Sequence, residues 1–334
     1  MKKTKIIALV TLVMLTFTLL SGCGSSKSPE ADATKAETAK TSESNNDAGK
    51  PADKKIKIGI TYQNLQNEFI LNIQDAVKAK AQELGIELIE TDGQGKAENQ
   101  ISQIENFITQ KVDAIILNPF DRDGCVPAVD KAAAANIPII VVNAEVANLD
   151  KATSYVGSDS VESGRIEMQY AAEQMGGKGN IVIIHGPNGH SAEVDRTNGI
   201  MEVLKNYPDI KVVAEQTANW DRAEAMALME NWLQSGMEIN AVIAQNDEMA
   251  LGAYKAIEAA GKQNDIKVIG IDAIPDALKA VEEGKLIGTV FQDSRGQGAK
   301  AVEVAVMAGK GEKVEKEYMI PYQLVTKENL AQFK

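Results

Sequence analysis

The chain is poor in the side chains that most often carry chemistry. Its 334 residues include two cysteines and two histidines. Cys23 lies at the end of an apolar leader, which leaves Cys125 alone in the rest of the chain. A lone thiol builds no disulfide framework, so stability must come from a hydrophobic core, and Cys125 reads as a small buried hydrophobe rather than a nucleophile. No glycine-rich phosphate loop is complete: "GQGKAE" (93–98) carries Glu98 where a dinucleotide fingerprint has its third glycine. A dehydrogenase or sugar isomerase would need such a cradle or a nucleophile–base pair, and neither is provided. "DRDG" (121–124) lacks the later ligands of a calcium loop and reads as a turn. Positive charge is short as well. The net charge of −12 and the absence of a basic stripe with interleaved aromatics exclude a nucleic-acid partner and polybasic attraction to membranes.

The leader, "MKKTKIIALVTLVMLTFTLLSGC", is a short basic stretch followed by roughly fifteen mostly apolar residues, the layout of a signal peptide over residues 1–22. Its apolar core is short for a bilayer span, although a plain transmembrane anchor is the competing reading. Leu20-Ser21-Gly22-Cys23 resembles a bacterial lipobox, which implies that Cys23 is lipid-modified and anchors the chain outside the cell membrane. Residues 23–54 are Ser, Ala, Lys and Glu with almost nothing large and apolar, and are expected to form a disordered tether.

About 280 residues remain, enough for one large domain or two of ordinary size. From Lys55 onward, short β-branched runs alternate with amphipathic stretches. "KIKIGIT" (55–61) precedes a helix over 68–85, in which Ile70, Ile73, Val77, Ala81 and Leu84 recur at helical spacing. The rhythm continues through "IELIET", "DAIILNP" and "IPIIVVNA", then through "NIVIIHG", "IKVVAEQ", "INAVIAQ", "IKVIGID" and "GTVFQD". Helices are expected near 97–110, 122–136, 160–175, 190–206, 221–235, 247–260, 275–283 and 295–308. Such alternation predicts α/β architecture with parallel sheets covered by helices on both faces. Two doubly wound, Rossmann-like lobes account for about ten units better than one sheet does; a closed (β/α)₈ barrel is the alternative.

In open sheets of this kind, ligands lie beyond the carboxyl ends of the strands. The strand endings are Gln63 to Asn67, Asn118, Asn143, His185 to His190, Gln245 and Asn246, Asp272, and Gln292. Nearly all carry groups that bond hydroxyls, and facing lobes would gather them in one cleft.

The stretches "HSAEVDRTNGI" (190–200), "NWDRAEAMALMENWL" (219–233), "AQNDEMALGA" (244–253) and "IGIDAIPDALKAV" (269–281) resemble the type I periplasmic sugar-binding proteins, the substrate-capturing subunits of ABC importers. The resemblance runs from about Lys55 to about Val325. It implies two lobes joined by a three-segment hinge near 157–159, 291–294 and 320–323. The first lobe would comprise 55–158 with 293–321, the second 159–292 with 322–334. It also implies a monosaccharide held by Asn67, Phe69, Asn143, His190, Arg196, Trp220, Asn246, Asp272 and Gln292. Phe69 and Trp220 would cover the two faces of the sugar, and Asp247 and Glu248 would mainly favour a helix N-terminus. No catalysis, no cofactor and no metal are implied; "QMGGKGN" (174–180) has no carboxylates where some relatives have a calcium loop. The partners would be ABC permease subunits and, through the lipid anchor, the membrane; a monomer is expected.

Departures bear on the sugar. Ribose binders typically show Asp-Arg where this chain has Asn143-Ala144, and a second Phe at Ile70; Asn143 and His190 look more like glucose/galactose binders. Those, however, have Asp at Asn67 and Ala192, and Asn at Gln292. A hexose is the leading expectation, with a pentose or a cyclic polyol such as inositol as alternatives. A sensory receptor feeding a chemoreceptor or kinase would share the same cleft. Alanine at Asp272 or Arg196 is expected to abolish binding with melting nearly unchanged.

Overall fold

The computed structural model describes residues 55–334. The signal peptide, Cys23 and the tether fall outside the described residues.

The first sheet has the order β11-β5-β4-β3-β1-β2, built from β1 (Lys57–Tyr62), β2 (Glu87–Asp92), β3 (Ala114–Leu117), β4 (Ile139–Asn143), β5 (Ser154–Gly157) and β11 (Glu317–Met319). All its pairings are parallel. Its strands are near-continuous Ile/Val runs because both faces are covered. Ile58, Ile60, Ile116 and Ile140 point to α1 (Glu68–Glu83) and α9 (Ser294–Gly309). Ile115, Leu117 and Val141 point to the opposite face, with Phe107 of α2 (Ala97–Thr109) and Val129 of α3 (Val126–Ala134).

The second sheet repeats the plan as β12-β10-β9-β8-β6-β7, from β6 (Lys178–His185), β7 (Asp209–Thr217), β8 (Ala241–Ala244), β9 (Lys267–Asp272), β10 (Gly288–Phe291) and β12 (Gln323–Val325). Only β12 runs antiparallel to its neighbour. α4 (Ser160–Gln174) and α5 (Ser191–Leu204) cover one face, where Met168 and Ile200 meet Ile181, Ile183 and Ile243. α6 (Arg222–Gln234), α7 (Asp247–Ala259) and α8 (Pro275–Glu282) cover the other. α4 and α5 approach to backbone contact: a Cβ on Gly164 would lie 2.2 Å from the Arg196 carbonyl oxygen.

In each sheet the winding reverses once, between β1 and β3 and between β6 and β8, the place where open α/β sheets leave a crevice at their carboxyl ends. The chain passes between the lobes at 158–159, 292–293 and 320–322.

Several elements differ from the sequence expectation. The helix expected over 122–136 begins only at Val126, because Asp121 Oδ1 accepts from the Asp123 and Gly124 amides and holds 121–124 as a turn. β5, β11 and β12 were not anticipated. "SYVG", "EYM" and "QLV" are too short to show a period, and they pair because their neighbours offer an open edge. Among the described residues no helix is long and apolar enough to cross a membrane.

Candidate functional site

The carboxyl ends of both sheets face one another across a cavity whose empty space, solvent at its mouth included, is ≈ 320 Å³. Its lining contains Asn67, Phe69, Asn143, His190, Arg196, Trp220, Asn246, Asp272 and Gln292, so the nine residues singled out in the sequence are brought to one place; Gln63 and Ala192 complete it. Gln63 is signalled in the sequence as a strand ending, Ala192 only by the resemblance. A larger space of ≈ 1130 Å³, solvent at its mouth included, adjoins it, sharing Gln63, Asn67 and Trp220 and otherwise lined by loop and helix-start residues including Asn64, Glu68, Phe120, Asp221 and Glu248. The inner cavity is the one on which the strand ends converge.

Local structure explains how these side chains are held. Asn67, His190 and Asn246 are helix N-caps: Asn67 Oδ1 accepts from Ile70 N–H (3.3 Å), His190 Nδ1 from Ala192 N–H (3.1 Å) and Asn246 Oδ1 from Met249 N–H (2.9 Å). Each satisfies a helix end that would otherwise lack a partner, and the cap fixes which way the residue faces. Backbone strain gathers here too. Of the eight non-glycine residues with positive φ among the described residues, five are Asn143, Asn219, Trp220, Asp272 and Ala273, in or next to the lining. Such conformations cost about 1–3 kcal/mol each and persist where surrounding structure enforces them.

Arg196 is the charged centre. Its guanidinium donates to the Gln245 carbonyl, to Gln292 Oε1 (3.0 Å) and to Tyr322 Oη (3.4 Å), and stands 3.9 Å from Asp272 Oδ1. It lies 5.6 Å from the centre of the Trp220 ring, and the His190 ring stands nearly perpendicular to that indole with the ring centres 5.5 Å apart. Both members of the Arg196–Asp272 pair are buried, so an Arg196 variant is expected to melt lower than the wild type, where the sequence reading alone expects little change.

His190 donates from Nε2 to Gln63 Oε1 (2.8 Å), joining the lobes, because Nδ1 is occupied as the cap acceptor. Burial, then Arg196 and Arg122, push its pKa down to about 3. The unfolded chain takes up a proton near pH 6.5 that the folded ring refuses, so this residue removes stability as pH falls from about 6.5 toward 3. The sign is opposite at Asp247, which burial raises to about 7 against its bonds to Thr289 and the Ile274 and Ala273 backbone. Here stability is lost as pH rises from the ordinary carboxylate range through about 7.

Asp247 also corrects the sequence reading. It accepts from Thr289 Oγ1 (2.7 Å) and Ile274 N–H (3.0 Å), tying β10 and the start of α8 to α7, and is more than an electrostatic favour to a helix end. Glu248 binds Arg222 through both oxygens (2.7 and 3.1 Å). Glu167 was missed altogether. It is buried within electrostatic reach of Arg196, with neither carboxyl oxygen bonded, and burial raises its pKa well above the usual range. The buried stripe Ser163, Gly164, Glu167, Met168, Ala171 of α4 is its sequence signal.

The Trp220 ring rests on Gly186, where a Cβ would come within 2.0 Å of ring atom Cζ2. Gly186→Ala is therefore expected to displace the indole and weaken ligand binding about tenfold, read by calorimetry, with the fold retained.

Comparison with known proteins fits this geometry. Residues 58–313 match the family model described as a periplasmic binding protein domain. The chain belongs to the periplasmic binding protein family. A putative rhizopine-binding protein of Rhizobium meliloti is 44% identical over 75% of this chain and 83% of that one. A xylitol-binding protein of Mycolicibacterium smegmatis is 40% identical over 82% and 78%. An ABC transporter solute-binding protein from Bacillus halodurans, solved with bound myo-inositol, superposes with a TM-score of 0.82 at 48% identity, covering 84% of this chain and 97% of that one. These periplasmic binding proteins share the two-lobed type I fold expected from the four motifs, and they are solute-binding proteins, not enzymes. Among the described residues of this one, no group of three or more His, Cys, Asp or Glu could hold a metal ion.

Proposed function

We propose that the protein captures one neutral cyclic polyol or monosaccharide between its lobes and delivers it to the permease of an ABC importer. The observation that carries this reading is the convergence of the nine residues, from both lobes, on one small cavity. A ring polyol has apolar C–H faces and a hydroxyl equator. Phe69 and Trp220 suit the faces. The amides of Asn67, Asn143, Asn246 and Gln292 both donate and accept, as hydroxyls do, while Asp272 accepts and Arg196 donates. The relative solved with myo-inositol puts that cyclitol first among candidate ligands, ahead of the hexose favoured by sequence; pentoses follow.

Ligand touching both lobes favours the closed form, and closure about the three crossings is the state a permease would read. The protein acts as a monomer outside the cell membrane, held through lipidated Cys23. A thermal-shift screen of myo-inositol, glucose, galactose, ribose, xylose, arabinose and xylitol tests the reading. One compound or a close pair is expected to raise the melting temperature by several degrees, as binding to the native state alone requires. A flat screen would contradict it. Loss of one paired hydroxyl should cost about 1–3 kcal/mol, so epimers will separate clearly.

A further inference from the structure

The lining residue Asn143 is one rung of a buried amide chain. Its Oδ1 accepts from Asn118 Nδ2 (3.4 Å), and Asn118 Oδ1 accepts from Gln63 N–H (3.2 Å). In the other direction Asn143 Nδ2 donates to Gln297 Oε1 (3.1 Å), and Gln297 Nε2 donates to Ser158 Oγ (3.0 Å). Gln297 is fully buried in the first turn of α9 and is absent from the cavity lining. Ser158 lies in the first of the three passages between the lobes. The other two passages are also bonded to a lining residue, since Arg196 holds both Gln292 and Tyr322.

We propose that Gln297 is a positioning residue that couples ligand contact at Asn143 to the interlobe passage at Ser158, and so shifts the balance between open and closed lobes. The proposal rests on the cleft being the ligand site. Its physical basis is directional: a buried amide must satisfy both ends, and with the Gln297 Nε2 end turned toward Ser158 its carbonyl is the end that faces Asn143. Asn143 then presents a fixed orientation to the cleft. Opening the lobes changes the backbone around Ser158, and the Gln297–Ser158 bond transmits that change to Asn143. A two-state element biased from both ends is the physical requirement for coupling.

The test uses Ser158→Ala, Gln297→Leu and the double variant. Affinity for myo-inositol, or for the strongest stabiliser in the screen, is measured by calorimetry. The interlobe distance distribution of the ligand-free protein is measured with one spin label on each lobe. Gln297→Leu is expected to weaken binding about tenfold, because it also leaves Asn143 without its acceptor. Ser158→Ala, at a residue outside the cavity lining, should weaken it about fivefold. The double variant should be no weaker than Gln297→Leu alone, since both changes interrupt one relay. Both single variants should shift the ligand-free distance distribution. Unchanged affinity in Ser158→Ala, or fully additive losses, would overturn the coupling and leave Gln297 as packing for Asn143. Should Gln297→Leu fail to fold, Ser158→Ala decides alone. If wild-type protein binds no polyol, the function reading fails by itself. The ligand-free distance distributions still decide the relay, and identical distributions in wild type and variants would reject it.

Discussion

Replacing Arg196 by alanine is expected to abolish polyol binding and to lower the melting temperature by on the order of ten degrees. The binding loss follows from position. The guanidinium faces the cavity, lies against Trp220 and stands 3.9 Å from Asp272. The stability loss follows from what the substitution strands. Gln245 O, Gln292 Oε1 and Tyr322 Oη lose their donor, and the buried Asp272 carboxyl loses its cation. Removing one partner of a buried pair costs about 3–5 kcal/mol, because the remaining charge is uncompensated. Differential scanning fluorimetry and calorimetry check both halves. A melting temperature equal to that of the wild type would show that the network carries no stability, and retained affinity would remove Arg196 from the site.

Asp272→Asn should separate the two effects, with affinity falling at least about a hundredfold, as two charge-assisted bonds to hydroxyls are weakened or reversed. Stability should fall by less than in Arg196→Ala, because the guanidinium loses a counter-charge but keeps its bonds to Gln245, Gln292 and Tyr322. Burial raises the Asp272 pKa well above the usual range, with Arg196 opposing and Asp247 adding to the rise. An acid whose folded pKa is raised loses stability as pH climbs above its unfolded value, whereas asparagine has no proton to lose. The stability difference should therefore shift toward Asp272→Asn as pH rises from 5 to 8, measured as melting temperature at each pH. Asn also tolerates the positive φ of 131° at this position about as well as Asp does. A variant that binds normally would contradict the role given to the carboxylate. One that melts progressively lower than wild type as pH rises would contradict the burial argument.

Much of this was legible in the sequence because parallel sheets write themselves plainly. Doubly covered strands such as "AIIL" and "IIVVN" must be apolar throughout, so their first polar residue marks the cleft. That is why Asn118, Asn143, Gln245 and Asp272 could be located without coordinates. The resemblance then supplied residues that periodicity cannot single out, such as Trp220, which sits in a left-handed turn after β7, and Arg196, one turn into α5. What stayed hidden depends on contacts between distant segments. β5, β11 and β12 become strands only through the edges they meet. Asp247 looks like a helix-start acid until Thr289, 42 residues away, is placed beside it. Gln297 reads as an ordinary helix residue because its partners, Asn143 and Ser158, belong to the opposite end of the lobe's sequence.

The most direct test of the central claim is a crystal structure grown with the strongest ligand from the screen. The ring is expected in the inner cavity between Phe69 and Trp220, with hydroxyls within hydrogen-bonding distance of Asp272 and Arg196 from one lobe and of Asn143 from the other. A ligand seated in the outer chamber, or bonded to one lobe alone, would contradict the account.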